Sequence, residues 1–198
     1  MATEDLPGDS AETAAATGKP AGRVFVALRI APEIAGELAH MARALEQFAV
    51  RLIVPADIHL TLVPPWGETS IPAAIDKLRA VANQAAPFTL ALQHLSYGPQ
   101  PRRPRLLWAE CAASDELAAL HAALLTAFGQ SDERPFRPHV TVARIRGNGV
   151  AVARKQPIDR ALAFLQRVET VELMQSPPVG ELGYRVLASL RLGRDPVR

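Results

Sequence analysis

Apolar residues recur along the chain with two spacings, one typical of strands and one typical of helices. Residues 23–30, RVFVALRI, form a dense apolar and β-branched run that predicts a buried strand. Behind Pro32, apolar residues follow at the spacing of one helix face, which predicts a helix to about Phe48. A short strand from Arg51 to Val54 then leads into the segment HLTL at residues 59–62.

Proline, glycine and serine predict where the next elements end and begin. The run Pro64-Pro65-Trp66-Gly67 is expected to end the HLTL strand, because proline cannot donate to a strand ladder and glycine permits a turn. Ser70 is placed to cap a helix, and alternating apolar residues predict a strand from Phe88 to Tyr97.

The second half of the chain repeats this order of elements. Leu106 to Cys111 predicts a strand, and Ser114 caps a predicted helix that precedes the segment FRPHVTVAR at residues 136–144. The first strand of each half lies about 35 residues before His59 and about 33 residues before His139. This match in length indicates an internal duplication.

The last part of the chain is predicted to hold one helix and two strands. Residues 157–166 have a helical pattern behind Pro157. Residues 168–176 and 184–192 have strand patterns, joined by a turn at Pro177-Pro178 and Gly180. Each half is therefore predicted to run strand, helix, histidine strand, helix, strand, in mostly antiparallel sheets.

Composition places the folded domain at residues 22–193. The chain has 198 residues, of which 48% are hydrophobic, enough for one substantial core or two fused lobes. Residues 1–21 hold few large apolar side chains to offset the entropy of ordering, so we expect a disordered N-terminal tail. Residues 194–198 are expected to fray.

Charge and cysteine content narrow the setting. The net charge of +2 says little about partners, but arginines gather around the second motif at Arg134, Arg137, Arg144 and Arg146. Guanidinium groups suit phosphate contacts, although solvated loops would show the same enrichment. Cys111 is the single cysteine, which excludes an internal disulfide. With no apolar run of bilayer length and no secretory signal, a cytoplasmic protein without membrane contact is expected.

The two segments HLTL and HVTV share a chemical pattern. Side chains alternate faces along a strand, so each segment sends a histidine and a threonine to one face and two apolar residues to the other. One such segment is more often a surface or hydrogen-bonded histidine than a catalyst, but two copies favour a functional pair. The side chains that would converge on one phosphate are those of His59, Thr61, His139 and Thr141. His40, His94 and His121 stand outside the pattern and are expected on the surface or in the core.

The two histidine motifs and the segments around them resemble those of a known family. HLTL and FRPHVTVAR, with RVFVAL near the start and PRRPRLLWA in the middle, resemble the two-histidine (2H) phosphoesterase superfamily, and within it the RNA 2′,3′-cyclic phosphodiesterases, or 2′-5′ RNA ligases. The resemblance implies a bilobal α+β fold with two mostly antiparallel sheets and outer helices, pseudo-two-fold symmetric around a central cleft. It also implies hydrolysis of a terminal 2′,3′-cyclic phosphate to a 2′-phosphomonoester, with neither a metal nor another cofactor.

The resemblance implies roles for individual residues. His59 is assigned as general acid and His139 as general base, and the hydroxyls of Thr61 and Thr141 would donate to the phosphate oxygens. Arg144 would be a phosphate or nucleotide contact. After the first motif the chain reads VPPWGE where relatives often have an apolar run such as K-F-L-G, so the cleft wall is expected to differ there. Trp66 in this run is a candidate to stack on a base, with core packing as the alternative.

Alternative functions stay open on the sequence alone. The partner would be an RNA end or a nucleotide with a 2′,3′-cyclic phosphate, bound by a monomer. One rival is a 2H enzyme for a small cyclic nucleotide or a cyclic phosphate of ADP-ribose. Another is a non-catalytic RNA-binding protein, although binding alone requires no matched acid and base. Joining of RNA ends through a 2′-5′ bond is also chemically allowed.

Overall fold

A computed structural model describes residues 22–100, 102–131, 135–178, 181 and 183–193. The predicted tails, Arg134 and Gly180 lie outside the described residues. The strands are β1 Gly22–Arg29, β2 Val50–Leu52, β3 His59–Glu68, β4 Phe88–Gly98, β5 Leu106–Cys111, β6 His139–Ile145, β7 Asp159–Val168, β8 Thr170–Gln175 and β9 Arg185–Arg191. The helices are α1 Pro32–Ala42, α2 Ile71–Ala82, α3 Asp115–Ala127 and α4 Gly149–Lys155.

The strands form one antiparallel sheet made of two matching halves. Its order is β7-β4-β5-β6-β3-β1-β8-β9, and β2 also pairs with β6. Each lobe holds four strands of this order, counted outward from the central contact between β6 and β3. One lobe runs β6, β5, β4, β7, and the corresponding strands of the other lobe are β3, β1, β8, β9. The predicted α+β fold with two pseudo-symmetric lobes is confirmed, with the two expected sheets joined at their centre.

The lobes are not the two halves of the sequence. Strand β4 comes from the first half of the chain but pairs with β5 and β7 of the second lobe. Strands β8 and β9 come from the end of the chain but extend the first lobe beside β1. Each lobe therefore needs strands from both sequence repeats.

Helices α1, α2 and α3 pack on one face of the sheet. The cap predictions are confirmed, because the Ser70 hydroxyl accepts from the amide of Ala73 and the Ser114 hydroxyl from the amide of Leu117. The helix expected to reach Phe48 ends earlier, and a 3₁₀ turn, Arg43–Leu45, follows α1. The main core between helices and sheet includes Leu38, Leu45, Leu60, Leu78, Leu120, Leu124 and Val140. None of the helices in the described residues has the length and hydropathy needed to span a bilayer.

The prediction that Pro64-Pro65 ends the first histidine strand is wrong. Strand β3 continues to Glu68, and Trp66 pairs with Val24 of β1. The register shifts at this point, because Val63 and Trp66 lie opposite Val26 and Val24. The two prolines occupy this irregularity, on a strand whose other edge pairs with β6 only near its start, so a missing backbone donor is tolerated.

The predicted helix at residues 157–166 is also wrong. These residues belong largely to β7, which pairs with β4 from Asp159 to Val168. Leu162 and Phe164 pack against the main core while Leu165 is exposed, the alternation of a strand. The second helix of this half lies earlier, at α4, where the Asn148 side chain accepts from the amide of Ala151.

Gly98 at the end of β4 offers a test of the packing around Trp108 of β5. A Cβ atom at Gly98 would lie 2.3 Å from Cε2 of Trp108, so Gly98→Ala must displace the indole ring. We expect the free energy of unfolding to fall by about 1–3 kcal/mol, measured by denaturant titration. Gly36 in α1 is the control, because nothing lies within 4 Å of its Cβ position. Gly36→Ala should stabilise by about 0.5–1 kcal/mol, and equal effects of the two changes would contradict this packing.

Candidate active site

A single bridge joins the two histidine strands at the centre of the sheet. Leu60 of β3 pairs with Val140 of β6, and both side chains are fully buried in the main core. Because side chains alternate along a strand, the neighbours of these two residues face the opposite side of the sheet, away from the helices. The side chains that share this cleft face are those of His59, Thr61, His139 and Thr141, all partly exposed.

The antiparallel register decides which of these residues are neighbours across the bridge. In such a pair the residue after Leu60 lies across from the residue before Val140. Thr61 therefore lies beside His139, and His59 lies beside Thr141. Each imidazole is next to the hydroxyl of the other strand, so all four predicted residues are brought together.

The backbone holds both imidazoles in the same way. Nδ1 of His59 lies 2.6 Å from the carbonyl oxygen of Asp57, and Nδ1 of His139 lies 2.8 Å from that of Arg137. A carbonyl oxygen only accepts, so each Nδ1 carries a hydrogen and donates it. This leaves Nε2 of both rings for proton exchange. The repeat thus extends to the hydrogen bond, since each partner lies two residues before its histidine.

Two aromatic rings pack against His59. The centroid of its ring lies 5.1 Å from that of Phe25 and 5.0 Å from that of Tyr184. The amide of Tyr184 donates a 3.0 Å hydrogen bond to the Asp57 carboxylate, which is buried. Asp57 thus holds His59 through its carbonyl and holds the neighbouring tyrosine through its side chain.

A different set of side chains packs against His139. Trp108 is buried, and its ring centroid lies 4.4 Å from that of His139. The guanidinium carbon of Arg137 lies 5.1 Å from the indole centroid. Arg137 also donates to the Glu110 carboxylate at 3.2 Å. Residue Arg137 therefore repeats the double role of Asp57, with the opposite charge.

Burial lowers the pKa of both histidines. For His59, desolvation is the largest cause, and the charges of Arg144 and His139 lower the pKa further, while the Asp57 carbonyl and carboxylate raise it. For His139, desolvation is again the largest cause; the Arg137 carbonyl raises the pKa, the charges of Arg137 and Arg144 lower it, and the Glu110 carboxylate raises it. The charge of His139 thus acts on the pKa of His59, and the charge of Arg144 acts on the pKa of both rings.

A β-bulge turns Arg144 toward the histidines. Strict alternation from His139 would send Arg144 to the helical face. The register against β5 shifts within β6, where Thr141 and Ala143 lie opposite adjacent residues of β5. Val142 and Ala143 are both buried, and Arg144 emerges exposed on the cleft face.

Strand β3 carries the same bulge. Thr61 and Val63 lie opposite adjacent residues of β1, and Leu62 and Val63 are both buried. The position that corresponds to Arg144 is Pro64. The duplicated geometry therefore supplies an arginine to the cleft from β6 only.

Trp66 lies away from the four cleft residues. It packs against the main core and against Phe128, whose ring centroid is 4.8 Å away, and its Nε1 donates to Glu68 at 3.1 Å.

The three histidines outside the two motifs lie away from the four cleft residues. His40 is exposed on α1, and His94 contacts Asp159. His121 is buried, with Nδ1 2.8 Å from the Leu62 carbonyl oxygen.

Sequence reasoning missed the groups that orient the two imidazoles. Asp57 and Arg137 had a detectable signal, because both stand two residues before a motif histidine. Tyr184 had none, because it reaches His59 from a segment more than a hundred residues away along the chain. Among the described residues, no group of three or more His, Cys, Asp or Glu side chains is arranged to hold a metal ion.

Comparison with known sequences identifies the family. The profile described as 2′-5′ RNA ligase superfamily matches residues 30–176. A Geobacillus stearothermophilus protein named RNA 2′,3′-cyclic phosphodiesterase is 37% identical over 97 residues, which are 44% of this chain and 30% of that protein. This match therefore spans less than a third of that relative. An Archaeoglobus fulgidus protein of the same name is 26% identical over 137 residues, 66% of this chain and 77% of that protein.

Solved structures share the fold. The protein TT0787 of Thermus thermophilus has a TM-score of 0.71 at 24% identity, covering 88% of this chain and 100% of that one. E. coli LigT, solved as a complex with 3′-AMP, has a TM-score of 0.65 at 22% identity, covering 86% and 98%. With the profile match across most of the described residues and this shared architecture, the chain belongs to the 2′-5′ RNA ligase superfamily of 2H phosphoesterases.

Proposed function

We propose that this protein hydrolyses the terminal 2′,3′-cyclic phosphate of RNA to a 2′-phosphomonoester by proton transfer between two histidines, without a metal. The observation that carries the proposal is the pair His59 and His139 on one face of the sheet, each with Nδ1 bound to a backbone carbonyl. The names of the sequence relatives support the same reaction.

The proposed mechanism uses the two free Nε2 atoms. Nε2 of His139 takes a proton from water as its oxygen attacks phosphorus, and Nε2 of His59 gives a proton to the 3′ oxygen as the P–O3′ bond breaks. The hydroxyls of Thr61 and Thr141 donate to the non-bridging oxygens, where charge increases. Arg144 adds charge-assisted hydrogen bonds to the same group. A 5′-hydroxyl in place of water would join RNA ends through a 2′-5′ bond.

The charges next to the two rings support this division of roles. The Asp57 carboxylate raises the pKa of His59, which favours the protonated ring that an acid requires. The Arg137 guanidinium lowers the pKa of His139, which favours the neutral ring that a base requires. At His139 the Arg137 charge outweighs the opposing Glu110 carboxylate, so in a nearly symmetric fold this difference in charge supports His59 as the acid and His139 as the base.

Phosphorus NMR of a dinucleotide with a terminal 2′,3′-cyclic phosphate tests the proposed function. We expect loss of the cyclic phosphate signal and growth of a 2′-phosphomonoester, at the same rate with and without EDTA. A 3′-phosphomonoester would contradict the assignment of the leaving oxygen. Activity that EDTA abolishes would contradict metal-independent catalysis.

Replacing either ring tests the paired roles. His59→Ala and His139→Ala should each lower kcat by about 10²–10⁴-fold, because each removes one proton transfer. His40→Ala, on the exposed face of α1, is the control and should retain wild-type kcat. Circular dichroism should be unchanged in all three variants. A loss below tenfold in either cleft variant would argue against acid–base catalysis by that ring.

The pH dependence of kcat/KM tests which histidine is the acid. A base must be neutral, so activity rises with pH through the pKa of His139, and an acid must be protonated, so activity falls as pH rises through the pKa of His59. Burial lowers the pKa of both rings, which places the expected optimum of this bell-shaped profile on the acidic side of neutrality.

Two charge-removing variants then distinguish the limbs of that profile. Asp57→Asn keeps an oxygen for the Tyr184 amide but removes the charge that raises the pKa of His59, so the alkaline limb should move to lower pH. Arg137→Gln removes a charge that lowers the pKa of His139, so the acidic limb should move to higher pH. If the roles were reversed, Asp57→Asn would instead move the acidic limb.

A further inference from the structure

Two arginines lie side by side on the cleft face, beyond the bridge that joins the histidine strands. Arg51 of β2 pairs directly with Arg144 of β6, and residues directly opposite in an antiparallel pair point to the same face. Val50 and Leu52 pack against the main core, so Arg51 between them faces away from the helices. Both guanidinium groups therefore belong to the face that carries the histidines.

Neither guanidinium group is compensated by an acidic side chain within the described parts of the chain. The ion pairs found there are Arg79–Asp76, His94–Asp159 and Arg137–Glu110. Like charges directly across a strand pair are destabilising, so the pair Arg51–Arg144 costs stability unless an anion binds between them. A half-buried Arg51 beside an exposed Arg144 is open to such a ligand.

The position of Arg51 separates its backbone from the bridge between the histidine strands. The Arg51–Arg144 pair lies four residues along β6 from the Leu60–Val140 bridge, about 13 Å at 3.3 Å per residue. Arg144 acts on the pKa of both histidines, so its charge reaches the catalytic groups. Arg51 lies directly opposite Arg144 on the neighbouring strand, so the two guanidinium groups are placed to contact a second anionic group of the same substrate.

We propose that Arg51, beside Arg144, binds the phosphate attached to the 5′ oxygen of the terminal nucleoside, which in RNA is the last internucleotide phosphate. This inference rests on the proposed function, because it names the substrate class that the same cleft selects. A guanidinium fork matches two oxygens of one phosphate, and the second arginine lets one substrate engage both groups. The cleft would then prefer an RNA end to a cyclic nucleotide with a free 5′-hydroxyl.

Calorimetric binding of reaction products tests this preference without relying on catalysis. The ligands are a dinucleotide ending in a 2′-phosphate, the 2′-phosphomononucleoside with a 5′-hydroxyl, and the same mononucleoside with a 5′-phosphate. The wild-type protein should bind the first about tenfold more tightly than the second, the range expected for a charged hydrogen bond at a partly exposed site. If the phosphate alone is recognised, the mononucleoside with a 5′-phosphate should bind with nearly the affinity of the dinucleotide. An affinity equal to that of the 5′-hydroxyl mononucleoside would mean that the preceding nucleoside is required instead, which would overturn the proposal.

Arg51→Gln is the informative variant and Arg43→Gln its matched control. Arg43 is exposed in the 3₁₀ turn after α1 and loses the same charge outside the cleft face. Arg51→Gln should lose most of the tenfold preference, Arg51→Lys should keep part of it, and Arg43→Gln should keep all of it. An unchanged preference in Arg51→Gln, or equal weakening of the dinucleotide and the 5′-hydroxyl mononucleoside, would overturn the proposal.

Thermal unfolding separates binding from a structural role. Removing one of two adjacent positive charges should leave the Tm of Arg51→Gln at or above that of the wild type. Inorganic phosphate should raise the Tm of the wild type by more than it raises the Tm of Arg51→Gln. A lower Tm for both Arg51→Gln and Arg51→Lys would mark Arg51 as structural and overturn the proposal. Absence of cyclic phosphate hydrolysis by the wild type would instead count against the proposed function.

Discussion

The pairing of Leu60 with Val140 is the contact on which the arrangement of the cleft depends. It is the only register pair between β3 and β6 among the described residues, and it joins two four-stranded lobes into one sheet. Burial of these two side chains in the common core fixes the register, and a slip of either strand by one residue would send the histidine of that strand into the core. Beyond the bridge β3 pairs with β1 and β6 pairs with β2, so the two histidine strands diverge.

The two lobes share the same backbone features around their histidines, and they differ in the residues at equivalent positions. Both histidine strands use a carbonyl two residues back to hold Nδ1, and both carry a bulge after the threonine. The residue that supplies the carbonyl is Asp57 in one lobe and Arg137 in the other. The residue after the bulge is Pro64 in one and Arg144 in the other. The symmetric scaffold thus surrounds the two imidazoles with side chains that differ in charge and in shape.

Exchange of strands between the repeats makes the cleft a property of the whole domain. Strand β4 completes the lobe of His139, and β8 completes the lobe of His59. The backbone of Arg29 and Ala31, at the end of β1, is bound by the side chain of Gln166 on β7, which links the lobes a second time. Neither repeat could bury its own sheet face without the other, so the two imidazoles are positioned by one cooperative structure.

The sequence by itself determined the local elements and the chemical pair. Period-two alternation identified the faces of the histidine strands, and the serine caps located α2 and α3, because both signals depend on neighbours within a few residues. The same local reasoning failed at Pro64-Pro65 and at residues 157–166. A proline is excluded only where a ladder needs its donor, and alternating and helical patterns overlap in a short apolar segment. Only the tertiary structure decided that a bulge turns Arg144 to the cleft, that Tyr184 packs on His59 and that Trp66 faces the core, because each depends on which distant strand pairs with which edge.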